Sequence, residues 1–427
     1  MSLVSLESYP VDDQGGETLM KRFTVVAGSA TLLVLVSSAG QAGTQIASRL
    51  QEVDPQARTA WEVTVPVDPG NPRPRYTVLA DRVAVLARDG RTIHFHGLDG
   101  RSLREFSSKQ RLGGINASPN GALLLAVSNL SEDEHFHQVL APDGRLLWSA
   151  TLGSPLRFSP SGNFLITDYD ASDASQPPTV LAAETGKIVW QDEANPPYWD
   201  LAAAEDDTLA YYQPGRLTLV DLTSGRQRWQ QAVPADPKHD VGRVRISLNG
   251  QTVVVETRVD VGTNDKPETR VTRVYDRGGR LSWERRAQPV AGQTNGGVVA
   301  AVSEDGAWLA VDDLDSFALL RASDGAATTR IPERHMCCVT AFTREVVVLD
   351  LGAKTRFLRL APSGTLLADT TLDESLRFLR RFTPHSPGVS GPPGRYVSLL
   401  VRLTAGMLTV TELDFQPGRA AAPEEDR

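Results

Sequence analysis

The stretch "LAAETGKIVWQ", residues 181–191, decides the fold. A polar pair leads into Gly186, and a short apolar run follows that contains Trp190. Hairpin turns need positive φ, which glycine adopts at little cost. The phrase therefore reads as a tight turn between two strands. Relatives recur as "PDGRLLWSA" (142–150), "TSGRQRWQQ" (223–231) and "RGGRLSWER" (277–285). Degenerate copies are "LDGRSLREF" (98–106), "SDGAATTRI" (323–331) and "PSGTLLADT" (362–370). The turn glycines are Gly100, Gly144, Gly186, Gly225, Gly279, Gly325 and Gly364, spaced by 44, 42, 39, 54, 46 and 39 residues. The longest spacing holds a polar insertion, "TRVDVGTNDKPETR" (257–270).

A second phrase is interleaved with the first. "ASPNGALLLAV" (117–127), "FSPSGNFLIT" (158–167), "ISLNGQTVVVE" (246–256) and "VSEDGAWLAVD" (302–312) each place Ser three residues before a glycine turn. An apolar strand follows each turn. One unit thus reads strand, glycine turn, strand, loop, strand, glycine turn, strand. Four short strands in about 40–45 residues make one blade of a β-propeller.

The ends of the repeat determine how many blades there are. Seven turn-plus-outer-strand units lie between Leu98 and Thr370. Three strands then follow, "LRFLRRF", "RYVSLLVRL" and "MLTVTELDF", with no fourth. Ahead of the first unit stands an unpaired strand, "WEVTVPV" (61–67), which opens on Trp61. Supplied as the outer strand of the last blade, it closes the ring and removes exposed edges. The expected fold is all-β: eight blades of four antiparallel strands over residues 61–415, with a seven-bladed ring as the alternative. A moderately helical linker is expected over residues 43–60. A disordered tail rich in Pro, Gly and charge is expected over residues 416–427.

Bulk properties narrow the function. A chain of 427 residues with 41% hydrophobic and 22% charged residues is globular. Its net charge of −8 argues against a nucleic-acid binder, which normally carries a basic footprint. Only 6 of its 44 basic residues are lysine. Two adjacent cysteines, Cys337 and Cys338, rule out a disulfide framework and a cysteine zinc cluster. Residues 1–42 read as an N-terminal extension followed by a signal peptide or anchor that starts best at Met20. Lys21 and Arg22 precede an apolar run over residues 23–36, and small residues at Gly40 and Ala42 follow. Both forms put the rest of the chain outside the cytoplasm, periplasmic or secreted.

The "LAAETGKIVWQ" phrases resemble the repeat of the quinoprotein-like (PQQ-repeat) eight-bladed β-propeller superfamily. The "SPSGNFLI" phrases also resemble those of WD40-like propellers. The superfamily holds quinone-dependent dehydrogenases and non-catalytic members such as the propeller lipoprotein of outer-membrane protein assembly. The chain resembles the non-catalytic members more closely. In that superfamily the tryptophan of the outer strand packs against the neighbouring blade, a place matched here by Trp148, Trp190, Trp229 and Trp283. Arg104, Thr329 and Ala368 stand there in the other units.

The candidate chemistry is thin. Some quinone-dependent enzymes carry a vicinal disulfide against the cofactor ring, which draws attention to Cys337 and Cys338. The plainer reading is two small buried strand residues. "HFH" occurs at residues 94–96 and 135–137, and alternation puts both imidazoles of each pair on one strand face. The pairs stand at different offsets from their turn glycines, so they read as partly exposed histidines rather than a metal site. "DYDASD" clusters Asp168, Asp170 and Asp173, but lacks the glycine and distal Glu of an EF-hand loop. It reads as a solvated acidic loop, as does "DDLD" (312–315). No nucleophile elbow, Walker loop, HExxH or kinase signature is present. The expectation is an exported, monomeric, non-catalytic propeller that binds protein or peptide partners, with no cofactor and no metal. The alternative is a quinone-dependent dehydrogenase, or another propeller enzyme, with its site in the central funnel.

Overall fold

A computed structural model describes residues 58–68, 74–131, 134–167, 178–192, 200–234, 242–259, 269–287, 298–313, 316–331, 339–342, 346–350, 355–361, 363–372, 377–381, 395–404 and 407–414. These residues contain 32 β-strands, which form eight four-stranded antiparallel sheets. Seven sheets are sequential meanders, numbered here as blades 1 to 7. They span residues 75–107, 114–152, 156–191, 200–232, 243–287, 298–331 and 339–372. Blade 8 joins the two ends of the repeat, in the order Arg58–Pro66, Met407–Asp414, Arg395–Thr404, Arg377–Arg381. This is an eight-bladed β-propeller, not a seven-bladed one.

The N-terminal strand begins at Arg58, three residues ahead of Trp61. Arg58 and Thr59 pair with Asp414 and Leu413, and a bulge then skips Ala60 before Trp61 pairs with Glu412. The bulge interrupts the period-two alternation that would have marked the strand's start. Part of the expected helical linker is therefore strand; the rest lies outside the described residues.

The core explains why the second and third strands of the blades are mostly buried, as in Leu124–Asn129, Thr208–Gln213 and Thr269–Asp276. Successive side chains of a strand point to opposite faces, and both faces of a blade are covered by neighbours. Leu124 and Ala126 face blade 1, where they meet Leu79, Ala84 and Phe95. Leu125 faces blade 3 and meets Leu165 and Leu181. Similar clusters join blades 3 and 4 through Ile166 and Tyr211, and blades 4 and 5 through Tyr212 and Val253. Blades 5 and 6 meet through Val254 and Leu309, and blades 6 and 7 through Leu319 and Leu358. Blade 8 packs on blade 1 through Val63, Val65, Leu408 and Val410 against Val78, Val83 and Val85. Each cluster spans two consecutive blades, so no blade has a private core.

A four-strand meander puts its first and third turns at one end of the sheet and its second at the other. The glycine turns of the two repeated phrases thus share one end of blades 1 to 7. The second-to-third-strand loops, and the connections to the next blade, emerge at the opposite end.

Candidate functional site

The glycine turns are built alike. Gly186 has φ of 68°, and a Cβ there would stand 2.7 Å from the Trp148 ring of the preceding blade. Glycine is thus required twice, by backbone conformation and by space. The other six turn glycines also have positive φ. In the second phrase, Ser118, Ser159, Ser247 and Ser303 are buried at their turns. Each Oγ accepts the main-chain N–H five residues on, from Leu123, Phe164, Thr252 and Trp308. Blade 4 departs from the pattern: Ala204 replaces the serine, and Asp207 holds the glycine's place with φ of 58°. Asp207 is the only non-glycine described with positive φ.

All eight blades carry a bulge between the third and fourth strands at the same place. The residue just past it is Trp61, Arg104, Trp148, Trp190, Trp229, Trp283, Thr329 or Ala368. Trp61 belongs to this set, a membership its isolated position in the sequence conceals. The indole N–H groups of Trp148, Trp229 and Trp283 donate to Ala183, Arg277 and Ala322 carbonyls, each at 2.8 Å. Every one of those carbonyls lies in the glycine turn of the next blade. Arg104 donates to Asp143 O at 3.3 Å, and Thr329 donates to Gly364 O, again in the next blade's turn. At five of the eight positions the residue aims a donor at the next blade's turn, and Trp, Arg and Thr all supply it. Trp190 instead lies 5.2 Å from the Tyr211 ring of blade 4.

Toward the propeller axis a second set of side chains joins the blades. Here the first strand of each blade offers main-chain N–H groups with no strand beside them. Thr77 Oγ1 accepts Ala117 N–H at 3.0 Å, from blade 1 to blade 2. His137 Nε2 accepts Leu156 N–H at 3.2 Å, from blade 2 to blade 3. Asp200 Oδ2 accepts Val244 N–H at 2.9 Å, and Glu256 Oε1 accepts Val299 N–H at 2.8 Å, from blades 4 to 5 and 5 to 6. Three of these four acceptors titrate. Burial, then neighbouring His135, pushes His137 down to about 4, so it stays neutral and able to accept. Burial raises the Asp200 carboxyl despite its N–H partner, and pushes Glu256 up to about 7.

The histidine pairs do lie on one strand face each, with ring centroids 6.4 Å apart for His94 and His96 and 6.3 Å for His135 and His137. Their exposure differs from the expectation. His96 and His137 are buried, because their strands are covered by the next blade. His94 pairs with Glu105 at 2.9 Å, and His135 with Asn129 at 3.1 Å. Among the described residues, no group of three or more His, Cys, Asp or Glu side chains is placed to hold a metal ion. Cys337, Cys338, Asp168, Asp170 and Asp173 lie outside the described residues. Asp312 and Asp313 end the second strand of blade 6. Among the described residues no helix is long and apolar enough to cross a membrane.

The fold and its joints define a PQQ-type β-propeller. Residues 47–313, more than half of the chain, match the family described as outer membrane protein assembly factor BamB, and the chain belongs to that family. Among solved structures, BamB from Moraxella catarrhalis is similar at 12% identity and a TM-score of 0.43, covering 86% of this chain and 99% of that one. The computationally designed Ika8 protein is similar at 15% identity and a TM-score of 0.45, covering 82% and 98%. Hsv2 from Kluyveromyces lactis is similar at 12% identity and a TM-score of 0.42, covering 71% and 98%. No curated protein sequence matches the chain.

Proposed function

We propose that this chain is an exported, non-catalytic propeller that binds protein partners in the cell envelope as part of outer-membrane protein assembly. The observation that carries the reading is membership of the BamB family over residues 47–313. Two features of the molecule support it. Three titratable groups described near the axis, His137, Asp200 and Glu256, are engaged in joining one blade to the next. The outermost strands, meanwhile, offer free edges and exposed apolar side chains such as Leu103, Leu146, Ile188, Leu281 and Leu367 to a partner. The chain acts as a monomer, and its basic and apolar segment over residues 20–43 directs it out of the cytoplasm. The test is affinity purification of the tagged full chain from a crosslinked envelope fraction of its own host. Proteins of the outer-membrane assembly machinery should co-purify in fixed ratio. A cytoplasmic location, with none of those proteins recovered, would overturn the reading.

A further inference from the structure

The junction between blades 5 and 6 buries a carboxyl group. Glu256 stands on the strand Thr252–Val259, only 6% exposed, on the face that meets blade 6. Its Oε1 holds the Val299 N–H across the junction at 2.8 Å. Its Oε2 is buried and has no hydrogen-bond partner among the described residues. Asp200, the corresponding acceptor one junction earlier, is better provided for. Its side chain is 31% exposed, Oδ1 takes the Leu201 N–H at 2.9 Å, and Arg245 stands 3.6 Å from Oδ2.

The groups facing Glu256 are few. Arg243, its register partner, and Arg245 come from the adjoining strand Arg243–Ile246. Arg270 comes from the strand Thr269–Asp276 on the other side, where Thr272 Oγ1 lies 3.5 Å from Oε1. Blade 6 brings the Val299 amide and apolar side chains of Leu309 and Val311. No cation makes a direct ion pair with Glu256 among the described residues. An ionised carboxylate is costly in such a place, whereas a neutral carboxyl keeps its carbonyl acceptor at far lower cost.

We propose that Glu256 is a proton-controlled latch between blades 5 and 6, holding the junction when neutral and loosening it when ionised. Burial pushes this carboxyl from 4.5 up to about 7, so the latch works near neutrality. The folded-state value is the raised one. The latch's stabilising contribution is therefore complete below the unfolded value and is lost as pH rises through about 7. This goes beyond the binding role and stands whether or not that role holds.

The experiment is hydrogen exchange by mass spectrometry on the full chain at about pH 6 and about pH 8, corrected for intrinsic exchange. Protection of the strands Thr252–Val259 and Val298–Val302 should fall by about tenfold across that interval. Glu256→Gln keeps the acceptor without the charge, and its protection should not change with pH. An equal fall in Glu256→Gln, or no fall in the natural chain, would overturn the proposal. If that variant does not fold, a carbon-13 titration of the Glu256 carboxyl in the natural chain decides. A midpoint at or above about 6 supports the latch, and any lower midpoint overturns it.

Discussion

Removing Arg58–Pro66 should cost the chain its single cooperative unfolding transition. That strand contributes eight registered residue pairs to blade 8. It also buries Val63 and Val65, which are 3% and 0% exposed, against Val78, Val83 and Val85 of blade 1. Burying two such side chains is worth about 3–6 kcal/mol, before any ladder hydrogen bond is counted. Whole domains are stable by only about 5–15 kcal/mol. The truncated chain would also expose the edge of Met407–Asp414 to pairing with other chains. Scanning calorimetry should show the main transition lost or displaced by tens of degrees, with proteolysis starting in residues 377–414. An unchanged transition would mean that the N-terminal strand is an accessory.

Gly242→Ala should be among the most damaging single substitutions in the chain. Gly242 directly precedes the first strand of blade 5, and a Cβ there would fall on the ring of Tyr212 in blade 4. Tyr212 is fully buried and sits in the cluster joining those blades, so its ring has nowhere to go. Overpacking of this kind costs about 1–3 kcal/mol and more where the neighbours are rigid. Gly114→Ala is the matched control. It opens the first strand of blade 2, and a Cβ there meets nothing within 4 Å. That change should be neutral or slightly stabilising, since it only narrows the unfolded ensemble. Denaturant midpoints of the two variants check this; equal midpoints would contradict the packing at the junction of blades 4 and 5.

The parts of the molecule that could be read in advance are those with local causes. Gly186 and its relatives announce positive φ, and the serines of the second phrase announce turns, because both effects act within a few residues. Seven turns followed by three strands without a fourth after Thr370 imply a blade completed from the N-terminal side, where Arg58–Pro66 stands. The joints between blades were not legible, for a physical reason. Arg104 and Thr329 look like failures of the tryptophan pattern, yet each donates to the next blade's turn, and nothing near them in sequence signals that partner. His137 and Glu256 likewise meet N–H groups 19 and 43 residues away. Alternation put the histidine pairs on one face, but whether that face is wet depends on the next blade. The bulge at Ala60 concealed the first residues of the N-terminal strand in the same way.

The central claim is that the two ends of the repeat meet in one blade. The most direct measurement is a cysteine pair at Thr64→Cys and Thr409→Cys, with Cys337 and Cys338 first replaced by serine. Thr64 and Thr409 are register partners, and their hydroxyl oxygens lie 3.0 Å apart at the surface, within disulfide reach. Mild oxidation followed by peptide mapping should find one bond between positions 64 and 409, formed within a single chain and without loss of fold. Two free thiols, or bonds found only between separate chains, would contradict the account.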